Sequence, residues 1–591
     1  MAPLIGVFSA LLATANVALS AATNNQTRYN PAIPGWHSDP SCVFVAERDN
    51  TTFCTASTFL LTPGLPVYAT KDLTNFKLVS HVLSRESQYP QFNESLAQSD
   101  GIWAPTIRYH DGTFYLATMY RNGITGSSTG LIFNSTDPYS DRAWSDPIVY
   151  NAEYIDPALF WDDDGSAYVV SSGTYLQTVD LTTGSFGPAR NIWNGSTGEF
   201  LEGPRLYKKD NYYYLLTAEG GSGLNHSVTM ARSLNITGPY QGCPSNPVLT
   251  NRGTDQYIQN VGHADLFHDQ QGQWWSSALG WRSGPEALTY PMGRELFLTP
   301  VTWEAGAWPI FHPMRGVYSG WSLPENRVLE GSGPFAKEPD LVDFAPNTTI
   351  PKNFGYWRFP NTSSFAVSPA GHPYSLEITP SATNITAGYK NYTAGYVIAD
   401  LSLIMRRQTD TLFQYSVDAS FKPTAAYEEV GVTAFLNQVQ NIALGIVNLP
   451  ANAVSNSSNS TLAPYFRFIA SGLGSAEKNI PGVNVVPVPS AWLQDPAIRL
   501  IVTAQNETHY SFAASPSAHP YERIVLGFAP GSILSGGAGD FTGKHSLFLR
   551  PCLNVSTRIG PPTDTSSHLR YSRRRIRDNQ RWLWHYQGVY L

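Results

Sequence analysis

Ile155-Asp156-Pro157-Ala158 opens a segment that continues through the turn Asp164-Gly165 into the aromatic and β-branched run Tyr168-Val169-Val170. Similar segments recur along the first 300 residues, each with an acid or small residue, usually a proline, a short apolar run, a turn and an aromatic strand. The five copies begin at Ser38-Asp39-Pro40, Trp103-Ala104-Pro105, Ile155-Asp156-Pro157, Glu202-Gly203-Pro204 and His263-Ala264-Asp265. The aligned positions are 47 to 65 residues apart, the size of a propeller blade. The pattern predicts an all-β chain that begins with a five-bladed β-propeller.

A second type of pattern follows the repeats. The stretch from Gly316 to Pro339 is rich in glycine and proline, which is typical of a linker. From about Asn353, short segments alternate apolar and polar residues, as in the strands of an antiparallel β-sandwich. We therefore assign residues 23–315 to the propeller, 316–352 to a linker, 353–560 to a β-sandwich and 561–591 to an irregular basic tail.

Composition excludes several classes of protein. Only 14% of the 591 residues are charged, 42% are hydrophobic and the net charge is -7, so neither a disordered acidic chain nor a nucleic-acid binder is expected. Aromatic residues reach 13%, with 15 Trp and 32 Tyr. Such a surplus suits stacking on flat apolar ligand faces, of which sugar rings are one kind.

The N-terminus and the cysteines indicate a secreted protein. An uncharged run from Leu4 to Ser20 is followed by small residues, which predicts a signal peptide over 1–22. No later segment is long and apolar enough to span a bilayer, so no membrane partner is expected. Cys42 and Cys54 flank a hairpin-like segment and are expected to form a disulfide. No zinc motif is present, and many glycosylation sequons occur. Among the sequons are Asn25, Asn50, Asn93, Asn194, Asn225, Asn384, Asn391 and Asn506.

Three acids fall at the start of inner strands in the repeat alignment: Asp39, Asp156 and Glu202, with His263 in the fifth blade. Residues at this position converge on the central funnel of a propeller. Hydrolysis of a glycoside needs a carboxylic acid to protonate the leaving oxygen and a carboxylate to activate water or to attack directly. A third acid nearby would raise the pKa of the proton donor. Each acid alone could simply open a turn, but three at equivalent positions favour the catalytic interpretation.

Other candidates are weaker. The Gly126 to Gly130 segment matches a hydrolase elbow motif, but a strand rather than a helix follows it. Asp162 to Asp164 could suggest calcium, yet Gly165 after them fits a hairpin tip better. Glu219 ends an aromatic strand and is interpreted as a supporting or turn residue rather than as the acid.

Binding residues are also suggested by the pattern. Arg294 could hold sugar hydroxyls or a neighbouring carboxylate, although a plain surface ion pair fits equally well. Trp36, Trp103 and Trp281 are candidate stacking walls that could equally be ordinary core residues. His263 could be structural, or could hold a water or a structural cation, calcium or sodium, on the propeller axis. No cofactor is required by the predicted chemistry.

Several motifs together resemble glycoside hydrolase family 43. The landmarks are Asn30-Pro31-Ala32-Ile33-Pro34-Gly35-Trp36-His37-Ser38-Asp39-Pro40-Ser41, Tyr154-Ile155-Asp156-Pro157, Phe200-Leu201-Glu202-Gly203-Pro204, Gly262-His263-Ala264 and Met292-Gly293-Arg294-Glu295. Two later motifs are similar to the appended sandwich of the xylosidase/arabinofuranosidase branch. They are Arg406-Arg407-Gln408-Thr409 and Glu428-Glu429-Val430-Gly431-Val432. The likeness covers nearly the whole chain after the signal peptide.

The resemblance implies specific roles. Asp39 would be the general base and Glu202 the general acid. Asp156 would raise the pKa of that acid and position it, and Arg294 would contact substrate. The activity implied is exo-acting hydrolysis with inversion, releasing arabinofuranose or xylose from plant arabinoxylan. Inversion requires the carboxyl groups of Asp39 and Glu202 to lie about 6.5–9.5 Å apart, so that water fits between base and sugar.

Alternatives remain at this stage. The main activity could be that of a β-D-xylosidase, and a non-catalytic carbohydrate-binding propeller is a third hypothesis. The sandwich could brace the propeller or send a loop into the active site. The family pattern is lost from Lys544 to Gln580 and resumes faintly from Arg581-Trp582 to Gly588. This departure indicates either a divergent last strand or a frame error in the gene.

Overall fold

A computed structural model describes the chain over residues 27–95, 99–123, 125–339, 341–381, 385, 401–454, 460–472 and 479–535, and the backbone of two later strands. The predicted signal peptide and the sequons at Asn25, Asn384 and Asn391 lie outside the described residues. The described part is all-β, as predicted. Its helices are short 3₁₀ turns at Ala46–Arg48, Glu86–Gln88, Pro90–Glu94, Asp141–Ala143, Ser172–Thr174, Thr362–Ser364, Ala451–Ala453, Ser490–Gln494 and Gly531–Ile533. None of the described helices is long and apolar enough to cross a membrane.

Five antiparallel sheets follow one another along the chain and form the blades of the predicted propeller. The first blade contains Ser41–Val45, Thr51–Thr55, Gly64–Thr70 and Lys77–Leu83, and the second Gly101–His110, Thr113–Arg121, Ser128–Ser135 and Ile148–Asn151. The third contains Ala158–Trp161, Ala167–Ser171, Tyr175–Asp180, Ser185–Phe186 and Arg190–Asn191. The fourth contains Glu202–Lys209, Tyr212–Glu219, Ser227–Ser233 and Gln241–Gly242, and the fifth Ile258–His268, Trp274–Arg282, Glu295–Thr302 and Ile310–Phe311. In each blade the innermost strand is the first in sequence.

The ring is tied together where its ends meet. Strand Arg28–Tyr29 pairs with Val317–Tyr318, so residues from both ends of the propeller region lie side by side. The side chain of Arg28 is buried and donates to the carbonyl oxygens of Leu73, at 2.8 Å, and Leu298, at 3.4 Å. Because Leu73 belongs to the first blade region and Leu298 to the fifth, this arginine links the two blades that close the ring. In the first blade, the paired residues Cys42 and Cys54 form a disulfide.

The second domain is a sandwich of two sheets with a buried apolar core between them. One sheet has eight strands in the order Asn484–Pro487, Leu462–Ser471, Gln440–Pro450, Glu429–Asn437, Gln587–Tyr590, Leu403–Arg406, Phe354–Trp357 and Leu61–Thr62. The other has seven in the order Phe365–Val367, Leu376–Ile378, Ser567–Ser572, Phe413–Ser420, Ile498–Ala504, His509–Pro516 and Ile524–Pro530.

The prediction of an irregular tail over 561–591 needs correction at two places. The backbone of Ser567–Ser572 pairs with Phe413–Ser420, and that of Gln587–Tyr590 pairs with Leu403–Arg406 and Glu429–Asn437. Both segments therefore lie inside sandwich sheets rather than beyond them. Local composition hid them because these partners lie at least 148 residues earlier in the chain, outside any local window.

The two domains are joined by more than a linker. Strand Leu61–Thr62, which belongs in sequence to the propeller, pairs with Tyr356 and Trp357 at the edge of the eight-stranded sandwich sheet. One cluster of buried apolar residues contains both propeller and sandwich side chains, among them Phe53 and Phe435. The predicted linker also packs on the first blade, where Leu78 donates its N–H to the carbonyl of Pro334 at 3.0 Å.

Gly35 marks a very close approach of the two domains. Its backbone has φ +84, and a Cβ added there would lie 2.4 Å from the carbonyl oxygen of Gln408 in the sandwich. Only glycine combines this conformation with this contact. Gly112, at a hairpin tip of the second blade, has a similar φ of +78 but open space around it.

The substitution Gly35→Ala should therefore destabilise the protein by about 2–4 kcal/mol, because a clash with backbone adds to the strain of a positive φ. Gly112→Ala should cost only about 1 kcal/mol, since it carries the strain alone. Thermal unfolding of the two variants beside the parent measures the difference. Equal losses of stability would show that the contact between domains at Gly35 is not tight.

Candidate active site

The five inner strands share an unusual backbone conformation at one position. Asp39, Ala104, Asp156, Gly203 and His263 have φ values of 53, 44, 58, 55 and 45 degrees, all in the left-handed region. Such values are rare for residues other than glycine, and they cluster at functional sites. In three of the blades the strand also shifts register across this point, as at a β-bulge. Bulges re-aim side chains, and this one turns the five residues toward one end of the funnel.

This conformation corrects by one residue the interpretation of Glu202 as equivalent to Asp39 and Asp156. Glu202 was placed at the same position as Asp39 and Asp156, but the left-handed residue of the fourth blade is Gly203. Glu202 therefore lies one step earlier on its strand. Glycine is needed after it, because a Cβ on Gly203 would lie 2.7 Å from the imidazole ring of His263.

Asp39 is buried, 5% exposed, and has partners on both carboxylate oxygens. Ser57 donates its hydroxyl to Oδ2 at 2.6 Å, while His263 Nδ1 and Arg294 Nη1 approach Oδ1 at 3.2 and 3.3 Å. Burial by itself would raise the pKa of Asp39, but His263, Arg294 and Ser57 together hold it well below its usual range. The group is thus an ionised carboxylate at neutral pH.

His263 is oriented from its other side. Its Nε2 lies 3.3 Å from Nη2 of Arg205, a buried guanidinium that also donates to the carbonyl of Pro204 at 2.9 Å. A guanidinium can only donate, so Nε2 faces a donor and Nδ1 is the ring nitrogen that donates to Asp39. Nδ1–H then points at Asp39, which fixes the carboxylate in one orientation.

Asp156 is also buried, and one of its carboxylate oxygens accepts two hydrogen bonds. Its Oδ2 accepts from the hydroxyl of Ser172 at 2.9 Å and from the backbone N–H of Gly203 at 2.9 Å. Gly203 directly follows Glu202, so Asp156 holds the backbone that carries the third carboxyl group. The carboxylate of Asp156 is thereby placed close enough to act electrostatically on Glu202.

Glu202 is the acid with the opposite behaviour. Burial first, and the charge of Asp156 second, raise its pKa to about 7, against the lowering effect of His263 and Arg294. Its side chain is nevertheless only partly enclosed. At neutral pH this group exists in both protonation states, which suits a proton donor.

The predicted binding residues lie in different surroundings. Arg294 is half-buried and contacts Ser38 and Asp39, so it pairs with a carboxylate of the site and is not a surface ion pair. Trp36 lies on the same side, since a Cβ on Gly293 would touch its ring at 2.6 Å. Trp103 is partly exposed and joins Trp36 through Phe59, with ring centroids 5.5 and 5.4 Å apart.

Trp281 occupies a different environment. It is 3% exposed, and its ring stacks on Tyr290 with centroids 4.0 Å apart and an interplanar angle of 4 degrees. With its faces covered in this way, Trp281 fits the core alternative better than a stacking wall for substrate. The surplus of aromatic residues alone gave no means of separating it from Trp36 and Trp103.

A polar network below the site was missed by sequence reasoning. Asp265, fully buried on the fifth blade, accepts two bonds from Arg108 at 2.8 and 3.0 Å, one from Tyr207 at 2.6 Å and one from Ser41 at 2.6 Å. These partners come from the second, fourth and first blades. The detectable signal was an acid between the apolar residues Ala264 and Leu266, two residues after His263.

The same residues bear on the alternative in which His263 holds a cation on the axis. Next to His263 Nε2 stands the guanidinium of Arg205, and the axial carboxylate of Asp265 is already neutralised by Arg108. A cation at this place would meet two fixed positive charges. Among the described residues no group of three or more His, Cys, Asp or Glu could hold a metal ion. The side chains around His263 therefore do not fit a bound cation.

The weaker candidates have structural roles. Glu219 accepts from the N–H of Ser196 at 2.9 Å and the hydroxyl of Thr197 at 2.7 Å, so it fastens the loop that leads to Glu202. Asp162 lies at a hairpin end and accepts from Lys208 at 2.5 Å. Strand Ser128–Ser135 follows the elbow-like motif, where a nucleophile elbow would need a helix.

This geometry defines a class of protein before any comparison is made. A propeller funnel that pairs a permanently ionised carboxylate with a carboxyl group of raised pKa is built for acid–base cleavage of glycosidic bonds.

Comparisons with known proteins agree. The sequence profile described as glycosyl hydrolases family 43 matches residues 29–309. A xylosidase/arabinosidase of Butyrivibrio fibrisolvens is 34% identical over 71% of this chain and 79% of its own length. A non-reducing end alpha-L-arabinofuranosidase of Bacteroides ovatus is 35% identical over 71% of this chain and 74% of its own. The solved structure of the Bacteroides ovatus xyloglucan-locus GH43B has a TM-score of 0.73 at 28% identity, covering 95% of this chain and 98% of that one. The chain belongs to glycoside hydrolase family 43 and is a glycosidase.

The electrostatics of the site predict a pH profile. If Glu202 must be protonated, kcat/KM should fall as pH rises through about 7. Asp156→Asn removes a negative charge that raises the pKa of Glu202, so the alkaline limb should move to lower pH. Asp180→Asn, at an exposed turn of the same blade, is the matched control and should leave the limb in place. Hydrolysis of a nitrophenyl glycoside between pH 4 and 9 measures all three. An unmoved limb in Asp156→Asn would exclude Asp156 as the modulator.

Proposed function

We propose that the protein is an exo-acting, inverting glycosidase that releases α-L-arabinofuranose from arabinoxylan or its oligosaccharides. The observation that carries this proposal is the opposed electrostatics of the two carboxyl groups, with Asp39 ionised and Glu202 raised to a pKa of about 7. Release of β-D-xylose is the second candidate, because the Butyrivibrio fibrisolvens relative carries both activities in its name.

The chemistry follows from these two groups. Glu202 gives its proton to the glycosidic oxygen while the bond from that oxygen to the anomeric carbon breaks, and the bonding electrons stay on the oxygen. A water on the opposite face attacks the anomeric carbon, and Asp39 takes a proton from that water. Glu202 ends ionised and Asp39 protonated, and exchange of protons with solvent restores both. One displacement inverts the anomeric configuration.

The remaining residues support this division of labour. Asp156 raises the pKa of Glu202 by its charge and holds the adjacent backbone through Gly203. Arg294 keeps Asp39 ionised through its contact with Oδ1 of that carboxylate. His263 fixes the orientation of Asp39.

We also propose that the protein is secreted and glycosylated. Asn194, Asn225 and Asn506 begin glycosylation sequons and are exposed, so each has room for an N-linked glycan. The Cys42–Cys54 disulfide suits an oxidising compartment.

The function is tested by incubating the purified protein with nitrophenyl α-L-arabinofuranoside, nitrophenyl β-D-xylopyranoside and arabinoxylan oligosaccharides. We expect the arabinofuranoside to be hydrolysed with the higher kcat/KM. Proton NMR of the first sugar released should show the inverted anomer. Retention of configuration would contradict the single displacement, and a higher kcat/KM on the xylopyranoside would favour the second candidate.

Glu202→Gln should lower kcat on oligosaccharides by about 10²–10⁴-fold, because the amide cannot donate the required proton. Binding of oligosaccharide, measured by calorimetry, should persist. Glu199→Gln, three residues earlier and exposed, is the control and should retain full activity. If the parent protein binds the oligosaccharide without hydrolysing it, and Glu202→Gln does not change that binding, the protein is instead a carbohydrate-binding propeller.

We further propose that hydrolysis needs no metal ion, since arginine side chains supply the positive charge around His263 and Asp265. Dialysis against a chelator should leave kcat within about 20% of the untreated value, and added calcium should not raise it. Loss of more than half the activity with recovery on calcium addition would contradict this proposal.

A further inference from the structure

Three aromatic side chains lie around Gly173, near the segments that carry Asp156 and Glu202, and we call them the aromatic ledge: Tyr154, Tyr175 and Phe200. Tyr154 and Tyr175 stack in parallel, with ring centroids 3.8 Å apart and an interplanar angle of 12 degrees. Phe200 approaches from the fourth blade, and a Cβ added to Gly173 would touch both its ring, at 3.8 Å, and that of Tyr175, at 2.9 Å. The rings of Tyr175 and Phe200 therefore both lie next to Gly173.

The ledge is fastened to the catalytic carboxyl groups. Tyr154 lies two residues before Asp156, and Phe200 two residues before Glu202. Gly173 donates its N–H to the carbonyl of Leu201 at 2.7 Å, and the neighbouring Ser172 donates to Asp156. The contacts that position the acid thus also position the ledge.

Phe200 is 61% exposed, although it is a large apolar side chain on an anchored loop. Phe200 is thus not a core residue, and covering its ring with a ligand would remove apolar surface from water. At the other end of the ledge the hydroxyl of Tyr154 donates to Glu153 at 3.0 Å. An apolar face bordered by hydroxyl and carboxylate groups matches a sugar ring, which has an apolar face and polar edges.

The side of the site on which the ledge lies identifies the occupant. A general acid protonates the oxygen of the leaving group, so the sugar residue that leaves must lie on the side of Glu202. In arabinoxylan that residue is xylose, whether the sugar released is an arabinose branch or a terminal xylose. The assignment therefore does not depend on which of the two sugars the glycone pocket prefers.

We propose that Tyr154, Tyr175 and Phe200 form the binding subsite for the xylose residue of the departing chain, with Phe200 as the stacking face. This inference rests on the proposed function, because it takes the substrate class from it. It makes Phe200 a specificity residue that recognises the chain and takes no part in proton transfer.

The test compares two equally exposed phenylalanines. In a Glu202→Gln background, which prevents turnover, Phe200→Ala should weaken binding of xylotriose or arabinosylated xylotriose about tenfold by calorimetry. Phe528→Ala, on the sandwich and 59% exposed, should leave binding unchanged. Inhibition of the active enzyme by free arabinose or xylose should be the same in Phe200→Ala as in the parent, since the monosaccharide occupies the glycone pocket. Phe200→Trp should keep the affinity of the parent.

Three outcomes would overturn the subsite. They are unchanged oligosaccharide affinity in Phe200→Ala, an equal loss of monosaccharide inhibition, and a parent that binds neither trisaccharide. Failure of the proposed function is distinguishable, since the parent would then show no turnover. The affinities of the Phe200→Ala and Phe528→Ala variants would still test whether the ledge binds the oligosaccharide.

Discussion

Each blade has one left-handed residue on its inner strand or just before it, and the active site is built on that constraint. A residue other than glycine held there costs about 1–3 kcal/mol. In four of the five blades a proline follows, at Pro40, Pro105, Pro157 and Pro204, which ordinarily disfavours helical backbone before it. The strain persists because the side chains are held by strong contacts. Asp39 accepts from Ser57, and Asp156 accepts from Ser172 and the next blade.

Those contacts work only if the inner strands keep a fixed distance from one another. Asp265 supplies this, because one buried carboxylate is bonded to side chains of three other blades. Loss of a partner would leave a charge buried without compensation, so separating the inner strands has a high free-energy cost. Arg205 extends the arrangement upward to His263, and through it to Asp39. The polar axis and the catalytic funnel are thus one connected structure.

How much of this was predictable depends on the range of the interaction. The five blades and the acids Asp39, Asp156 and Glu202 repeat within a local window, so the sequence predicts them. The register of Glu202 was wrong by one residue, since three acids near the aligned prolines were taken as equivalent although Gly203 stands between Glu202 and Pro204. The bonds of Asp265 join residues 58 to 224 positions apart and leave no periodic trace. The same reason applies to strand Leu61–Thr62, which pairs in the sandwich, and to the backbone strands at 567–572 and 587–590.

The division of roles between the two carboxyl groups is likewise a matter of neighbours. Asp39 and Glu202 both experience burial, which raises the pKa of either group. Asp39 stands against Arg294, His263 and Ser57, all of which favour its ionised form, whereas the strongest charged neighbour of Glu202 is the carboxylate of Asp156. Like charge on one side and donors on the other push the two pKa values apart in the same low-dielectric funnel. Since Asp156 also holds Gly203, the group that makes Glu202 an acid is the group that fixes its backbone, and the protonation state and the position of the proton donor are set together.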